Sequence, residues 1–108
     1  MVSMETELVA QRLAELGNTT RLAIFKLLVR AGPGGLVVGE IQRRLNVPAS
    51  TLSHHLTRLG RAELIVQRRA SRNLHCFACH DVMNALVQSL TAECCVGFDD
   101  EQEREDAD

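Results

Sequence analysis

The chain has no Trp and no Tyr, and its only aromatics are three Phe. Its core must therefore be aliphatic. No run of 18 apolar residues exists, so no segment reads as a membrane span. The first residues, Met1 to Glu7, carry acids and no basic lead segment, which argues against a secretory signal and makes the cytoplasm the expected location. In that reducing compartment the four Cys are expected as thiols rather than disulfides. No phosphate-binding glycine loop, paired carboxylates or nucleophile–base pairing stands out, and no internal repeat. The expectation is a protein that is not an enzyme and holds no permanent cofactor.

What is present fits one domain. A chain of 108 residues, 45% of them hydrophobic, can bury a modest core, and so small a core makes oligomerisation an expected source of stability. The net charge of −2 hides two opposite regions. Residues 99–108 hold seven acids and one base, Arg104; without them 11 Lys and Arg face 7 Asp and Glu. Residues 43–72 hold seven Arg against one acid, Glu63. Such a stretch is the electrostatic footprint of a polyanion partner. The chain thus divides into a folded domain over 1–98 and an acidic tail over 99–108, too poor in apolar groups to pack and expected to be disordered.

Periodicity places the elements. Val9, Leu13 and Leu16 predict an amphipathic helix over about 4–16, ending at Gly17. Asn18 and Thr19 are N-cap residues for a second helix over about 20–31, with Leu22, Phe25, Leu28 and Val29 inward. Gly32-Pro33-Gly34-Gly35 breaks it, and Leu36 to Val38 suit a short strand. Ile41 and Leu45 anchor a third helix over about 39–45, Asn46-Val47-Pro48 turns, and Leu52, Leu56 and Leu59 define a fourth over about 49–61. Two β-like runs, Leu64 to Arg68 and Asn73 to Ala78, form a hairpin around Arg69 to Arg72. Met83, Leu86, Val87, Leu90 and Cys94 mark a last helix over about 80–95.

This pattern is mainly α with a β-hairpin wing: a winged helix-turn-helix of about five helices and two to three short strands. In that geometry the fourth helix lies in the major groove of double-stranded DNA. Its inward leucines leave Ala49, Ser50, Ser53, His54 and Thr57 outward, where short polar groups reach base edges, while Arg58 and Arg61 reach phosphates. Arg68, Arg69 and Arg72 lie at the wing and suit the flanking backbone. His55, beside the inward leucines, reads as a packing histidine.

Three segments in order resemble the ArsR/SmtB family over roughly residues 5–95. Leu16 to Ile24 is similar to its L-x-x-x-x-R-L-x-I opening, Ser50 to Leu59 to its S-x-x-S-x-H-L-x-x-L recognition helix, and Arg69-Ala70-Ser71-Arg72 to its R-x-G-R wing. The resemblance implies a homodimer paired through the first and last helices, and a repressor that an inducer releases from its operator. Glu63 and Ser71 stand where the family usually has Gly. A positive φ at Ser71 would cost on the order of 1 kcal/mol.

The family's zinc-type site on the last helix is not matched: His80-Asp81 opens the helix and no second His follows. Nor are its thiols near the third helix, where Val37, Gly39 and Gln42 stand. Thr91-Ala92-Glu93-Cys94-Cys95 resembles the end of some arsenite-responsive members, which implies a trivalent arsenic or antimony species as inducer, bound at Cys94 and Cys95. Thiolates select soft, thiophilic ions. Adjacent helical residues point about 100° apart, so both thiols meet one ion only if the last turn loosens. A third Cys usual in those members is missing from Val96 to Asp100, which leaves open an organoarsenical, antimonite with an exogenous thiol, or a dithiol redox signal. Cys94 alone also fits as a small apolar residue at the dimer seam. Cys76-Phe77-Ala78-Cys79-His80 spells a haem-attachment pattern, yet it overlaps a wing strand on which positions three apart face opposite sides. It is read as structural. Two other classes stay in view: a winged-helix module for protein contacts alone, and a dithiol redox sensor on the same fold.

Overall fold

The computed structural model describes residues 4–98. The acidic tail over 99–108 lies outside the described residues.

Local chemistry sets the helices. α1 spans Thr6–Leu16 and stops at Gly17. The Asn18 side chain then accepts a hydrogen bond from the Arg21 backbone N–H at 3.0 Å, capping α2, Thr19–Ala31. A single 3₁₀ turn, Gly32–Gly34, leads into β1, Leu36–Val37. α3, Val38–Leu45, ends at Asn46, whose φ of 53° and ψ of 50° are left-handed, a conformation Asn tolerates. α4, Ala49–Arg61, follows Pro48, which cannot continue a helix from its N-terminal side. β2, Ile65–Ala70, and β3, Asn73–Ala78, make the wing, and α5 covers His80–Thr91.

The sheet order is β1-β3-β2, antiparallel throughout, with Leu36 opposite Cys76 and Ala70 opposite Asn73. Ser71 and Arg72 form the two-residue turn. Ser71 adopts φ 57° and Glu63, at the entry to the wing, φ 63°; both are left-handed angles that favour glycine, at the two positions where the resembling family usually has it.

Ile24, Leu28, Ile41, Leu52, Leu59 and Leu64 are fully buried and bring α2, α3, α4 and the wing base onto one aliphatic core. Burial of each such side chain is worth about 1.5–3 kcal/mol. α1 joins differently. Its buried residues are Val9 and Arg12, whereas Leu13, expected inward, is 37% exposed. The stripe was right in period but misplaced, because a guanidinium takes the inward position: Arg12 Nε donates to the Ala62 carbonyl at 2.9 Å and Nη2 to Glu63 Oε1 at 2.8 Å. Leu22 is also corrected, at 41% exposed, since Arg21 and Ile24 hold the buried face of α2. No helix among the described residues is long and apolar enough to cross a membrane.

Candidate nucleic-acid interface

α3 and α4 are joined by Asn46, Val47 and Pro48, and α4 presents two unlike faces. Leu52, His55, Leu56 and Leu59 are buried; Ala49, Ser50, Ser53, His54, Thr57, Arg58 and Arg61 are exposed. The 3.6-residue period thus sorts the helix as the leucine spacing requires. Thr57 Oγ1 donates to the Ser53 carbonyl at 3.0 Å, which ties up its donor and leaves its lone pairs outward.

The arginines expected on phosphates are not equivalent. Arg61, Arg69 and Arg72 are exposed and make no ion pair among the described residues. Arg68 lies with its guanidinium 5.6 Å from the Phe77 ring centroid, and Phe77 in turn stacks on His75. A cation–π contact of this kind holds the charge against the sheet. Arg58 is paired: its Nε and Nη2 donate to the two carboxylate oxygens of Glu15 on α1 at 2.9 and 3.1 Å. That pair holds the Glu15 carboxyl below its ordinary range and raises Arg58 further.

Behind α4 lies a buried polar layer that sequence reasoning did not identify. Arg21 Nε donates to the Glu15 carbonyl at 2.7 Å, and Arg21 Nη1 lies 3.3 Å from His55 Nδ1. A guanidinium carries donors only, so His55 Nδ1 must be the acceptor and the ring neutral. Burial first, then Arg21, His54 and Arg58, push the His55 pKa below the ordinary 6.5. The sign follows: the unfolded chain takes up a proton near pH 6.5 that the folded chain refuses until lower pH, so stability is complete above 6.5 and falls as pH drops below it. Chemical denaturation between pH 7.5 and 5 is expected to show this loss, and His55→Gln, which keeps an acceptor but does not titrate, should flatten the profile. An unchanged slope in that variant would assign the loss elsewhere.

The four cysteines divide into two kinds. Cys76 is fully buried, and burial pushes its thiol up to about 11, so it stays protonated at neutral pH. Cys79, half-buried at the start of α5, is also raised by burial, with Glu63 and Asp81 adding to the effect against Arg12. Cys94 and Cys95 are exposed. α5 ends at Thr91 rather than running to 95, and the two lie in the turns beyond it, with Cys95 at φ 63°. Their Sγ atoms are 3.3 Å apart. Leaving the helix removes the 100° divergence that regular geometry would impose. Among the described residues no three His, Cys, Asp or Glu side chains cluster as a metal site would require.

Two helices packed behind a helix-turn-helix, a three-stranded sheet forming a wing, and a closing helix define the winged helix-turn-helix fold. Residues 16–68 match a family model described as a helix-turn-helix domain. Among solved structures the chain is 28% identical to HlyU from Vibrio cholerae, with a TM-score of 0.67, covering 85% of this chain and 99% of that one. It is 26% identical to the homodimeric winged helix-turn-helix DNA-binding domain of Mb0332 from Mycobacterium bovis, a possible ArsR-family transcriptional regulator, at a TM-score of 0.65 with 86% and 92% covered. It is likewise 26% identical to the transcriptional repressor BigR from Xylella fastidiosa, at 0.64 with 81% and 86% covered. A search of curated proteins returned no match.

Proposed function

We propose that this protein is an ArsR-family transcriptional repressor that binds operator DNA as a homodimer and is released by a trivalent arsenic or antimony species at Cys94 and Cys95. The observation that carries the reading is that α4 keeps its polar face exposed and the wing keeps Arg69 and Arg72 exposed and free of ion pairs among the described residues, on a fold shared with transcriptional regulators of this size. Dimerisation is supported by exposed apolar side chains on the two helices the resemblance pairs: Leu8 and Leu13 on α1, and Val87 and Leu90, at 56% and 63% exposure, on α5. Isolated apolar residues on a surface need no explanation, but these come in pairs on the two helices concerned and no other described residue covers them.

The inducer reading rests on the vicinal thiols. They are exposed, close together and outside regular helix, whereas the wing cysteines are shielded and raised in pKa. Soft cations choose such a pair, and an exogenous thiol completes a third position. The same 3.3 Å separation favours a second reading, a repressor that senses oxidants by closing the pair into a disulfide.

A gel shift with DNA from the protein's own upstream region tests the central claim. His54→Ala is expected to lose about 1–3 kcal/mol on the operator and little on random DNA, the signature of base readout. Arg69→Ala and Arg72→Ala should weaken all sequences alike and reduce the salt slope by about one each. Equal losses on operator and random DNA for His54→Ala would remove it from base recognition. The absence of any duplex binding at low salt would leave a module for protein contacts.

A further inference from the structure

Between α1 and the C-terminal half of α4 runs a groove of about 400 Å³ lined by Gln11, Glu15, His54, Arg58, Arg61 and Ala62. Its polar lining is mostly donors, two guanidinium groups, an imidazole and an amide, and it holds one carboxylate. That carboxylate, Glu15, occupies Arg58 with both oxygens, at 2.9 and 3.1 Å. We propose that this groove is a seat for a backbone phosphate of duplex DNA and that Glu15 is its built-in competitor, which the phosphate must displace from Arg58. The inference rests on the DNA-binding reading above and adds a residue of α1 to the interface.

The chemistry suits an exchange. The fork that binds a carboxylate through two parallel N–H···O bonds binds two phosphate oxygens in the same way. Arg58 is 44% exposed and Glu15 21%, so the pair is near water, where such ion pairs are weak and readily traded. Glu15 is not stranded when Arg58 leaves, because Arg21 Nε lies 3.3 Å from the same carboxylate. Arg21 keeps the Glu15 carbonyl as acceptor at 2.7 Å throughout, so α1 stays anchored. Arg61 and Gln11 already face the groove and need no release. A carboxylate so placed suppresses loose binding: Arg58 gives up Glu15 only for an anion that sits between the two helices. The sequence displayed Arg58 as a phosphate ligand but gave no sign of its partner, 43 residues away.

The test is a neutralisation series on the full-length protein, with Glu15→Gln and Glu15→Ser as parallel substitutions whose fold is checked by far-UV circular dichroism. Binding to a random-sequence 30-base-pair duplex is titrated between about 50 and 200 mM salt. Both variants should bind more tightly than the wild type at low salt, by about threefold, which is what one added phosphate contact is worth over that salt range. The gain should shrink as salt rises. In an Arg58→Gln background the Glu15 substitutions should give no gain, since nothing remains to be released. Glu7→Gln, which makes the same charge change in the first turn of α1, should leave affinity unchanged. A gain that survives in the Arg58→Gln background, or one matched by Glu7→Gln, would reduce Glu15 to bulk charge and overturn the proposal. Weaker binding by the Glu15 variants would make Glu15 an orienting partner of Arg58 and overturn it equally. If no version bound DNA at any salt, the DNA-binding reading itself would fall, a result distinct from all of these.

Discussion

Gly35→Ala is expected to destabilise the protein by roughly 2–6 kcal/mol, combining about 1–3 for a strained backbone with about 1–3 for overpacking. Gly35 has φ 62°, and a methyl group built on it would run into the Cys76 carbonyl oxygen and come within 2.6 Å of the Phe77 ring. Neither neighbour yields easily. Cys76 is paired with Leu36 across β1 and β3 and is fully buried. Phe77 carries the Arg68 guanidinium and stacks on His75. Relief therefore requires β3 to move away from β1, which shifts the wing as well as loosening the core. The neighbouring Gly32 is a control: its φ is 74°, but nothing lies within 4 Å of an added methyl group, so Gly32→Ala should cost only the backbone strain. Thermal and urea unfolding of the two variants measure the difference. A Gly35→Ala protein as stable as the Gly32→Ala one would show that β3 is not clamped against this turn.

Replacing both vicinal thiols, Cys94→Ser and Cys95→Ser, should leave operator binding at the wild-type level but abolish its loss on addition of a trivalent arsenical or antimonite. In the wild type that loss is expected to reach at least tenfold, a coupling of about 1.4 kcal/mol. The physical link is short. The pair follows α5 after Thr91, and the exposed Val87 and Leu90 of that helix are the side chains proposed to meet the partner subunit. Clamping both sulfurs on one ion fixes the turns beyond the helix and with them the seam that sets the spacing of two recognition helices. Cys76 and Cys79 should be dispensable for release, since burial keeps both thiols protonated at neutral pH. Anisotropy titrations with labelled operator, with and without phenylarsine oxide, decide the matter. Release that persists in the double variant would move sensing to the wing cysteines, and release by diamide alone would favour the redox reading.

The recognition helix was legible almost residue by residue. Leu52, Leu56 and Leu59 sit four and three residues apart, and that spacing alone assigns Ser50, Ser53, His54 and Thr57 to the opposite face, which is where they are. The hairpin was legible as two β-like runs joined around Arg69 to Arg72, but its register was not: β2 runs on to Ala70, which pairs with Asn73 and narrows the turn to Ser71 and Arg72. α1 was less so. Its apolar period pointed to Leu13 as well as Val9, and a hydrophobic pattern has no means of showing that a buried arginine outranks a leucine once Ala62 and Glu63 offer it an acceptor and a charge. The last helix was read four residues too long, since Cys94 continues an apolar stripe whose backbone has already turned.

By itself, then, the sequence determined the order of elements, the aliphatic core and the face of α4 turned outward, because these follow from periodicity and turn chemistry that act between near neighbours. Only the tertiary structure decided which arginines are free. Arg58, Arg61, Arg68, Arg69 and Arg72 are alike as letters, yet Glu15 holds one and Phe77 another while the rest reach solvent. It also decided the fate of the histidines and thiols: His55 neutral beneath Arg21, Cys76 sealed in the core, Cys94 and Cys95 side by side outside it. Charge, protonation and reactivity depend on partners brought together from distant parts of the chain, and no local pattern encodes those distances.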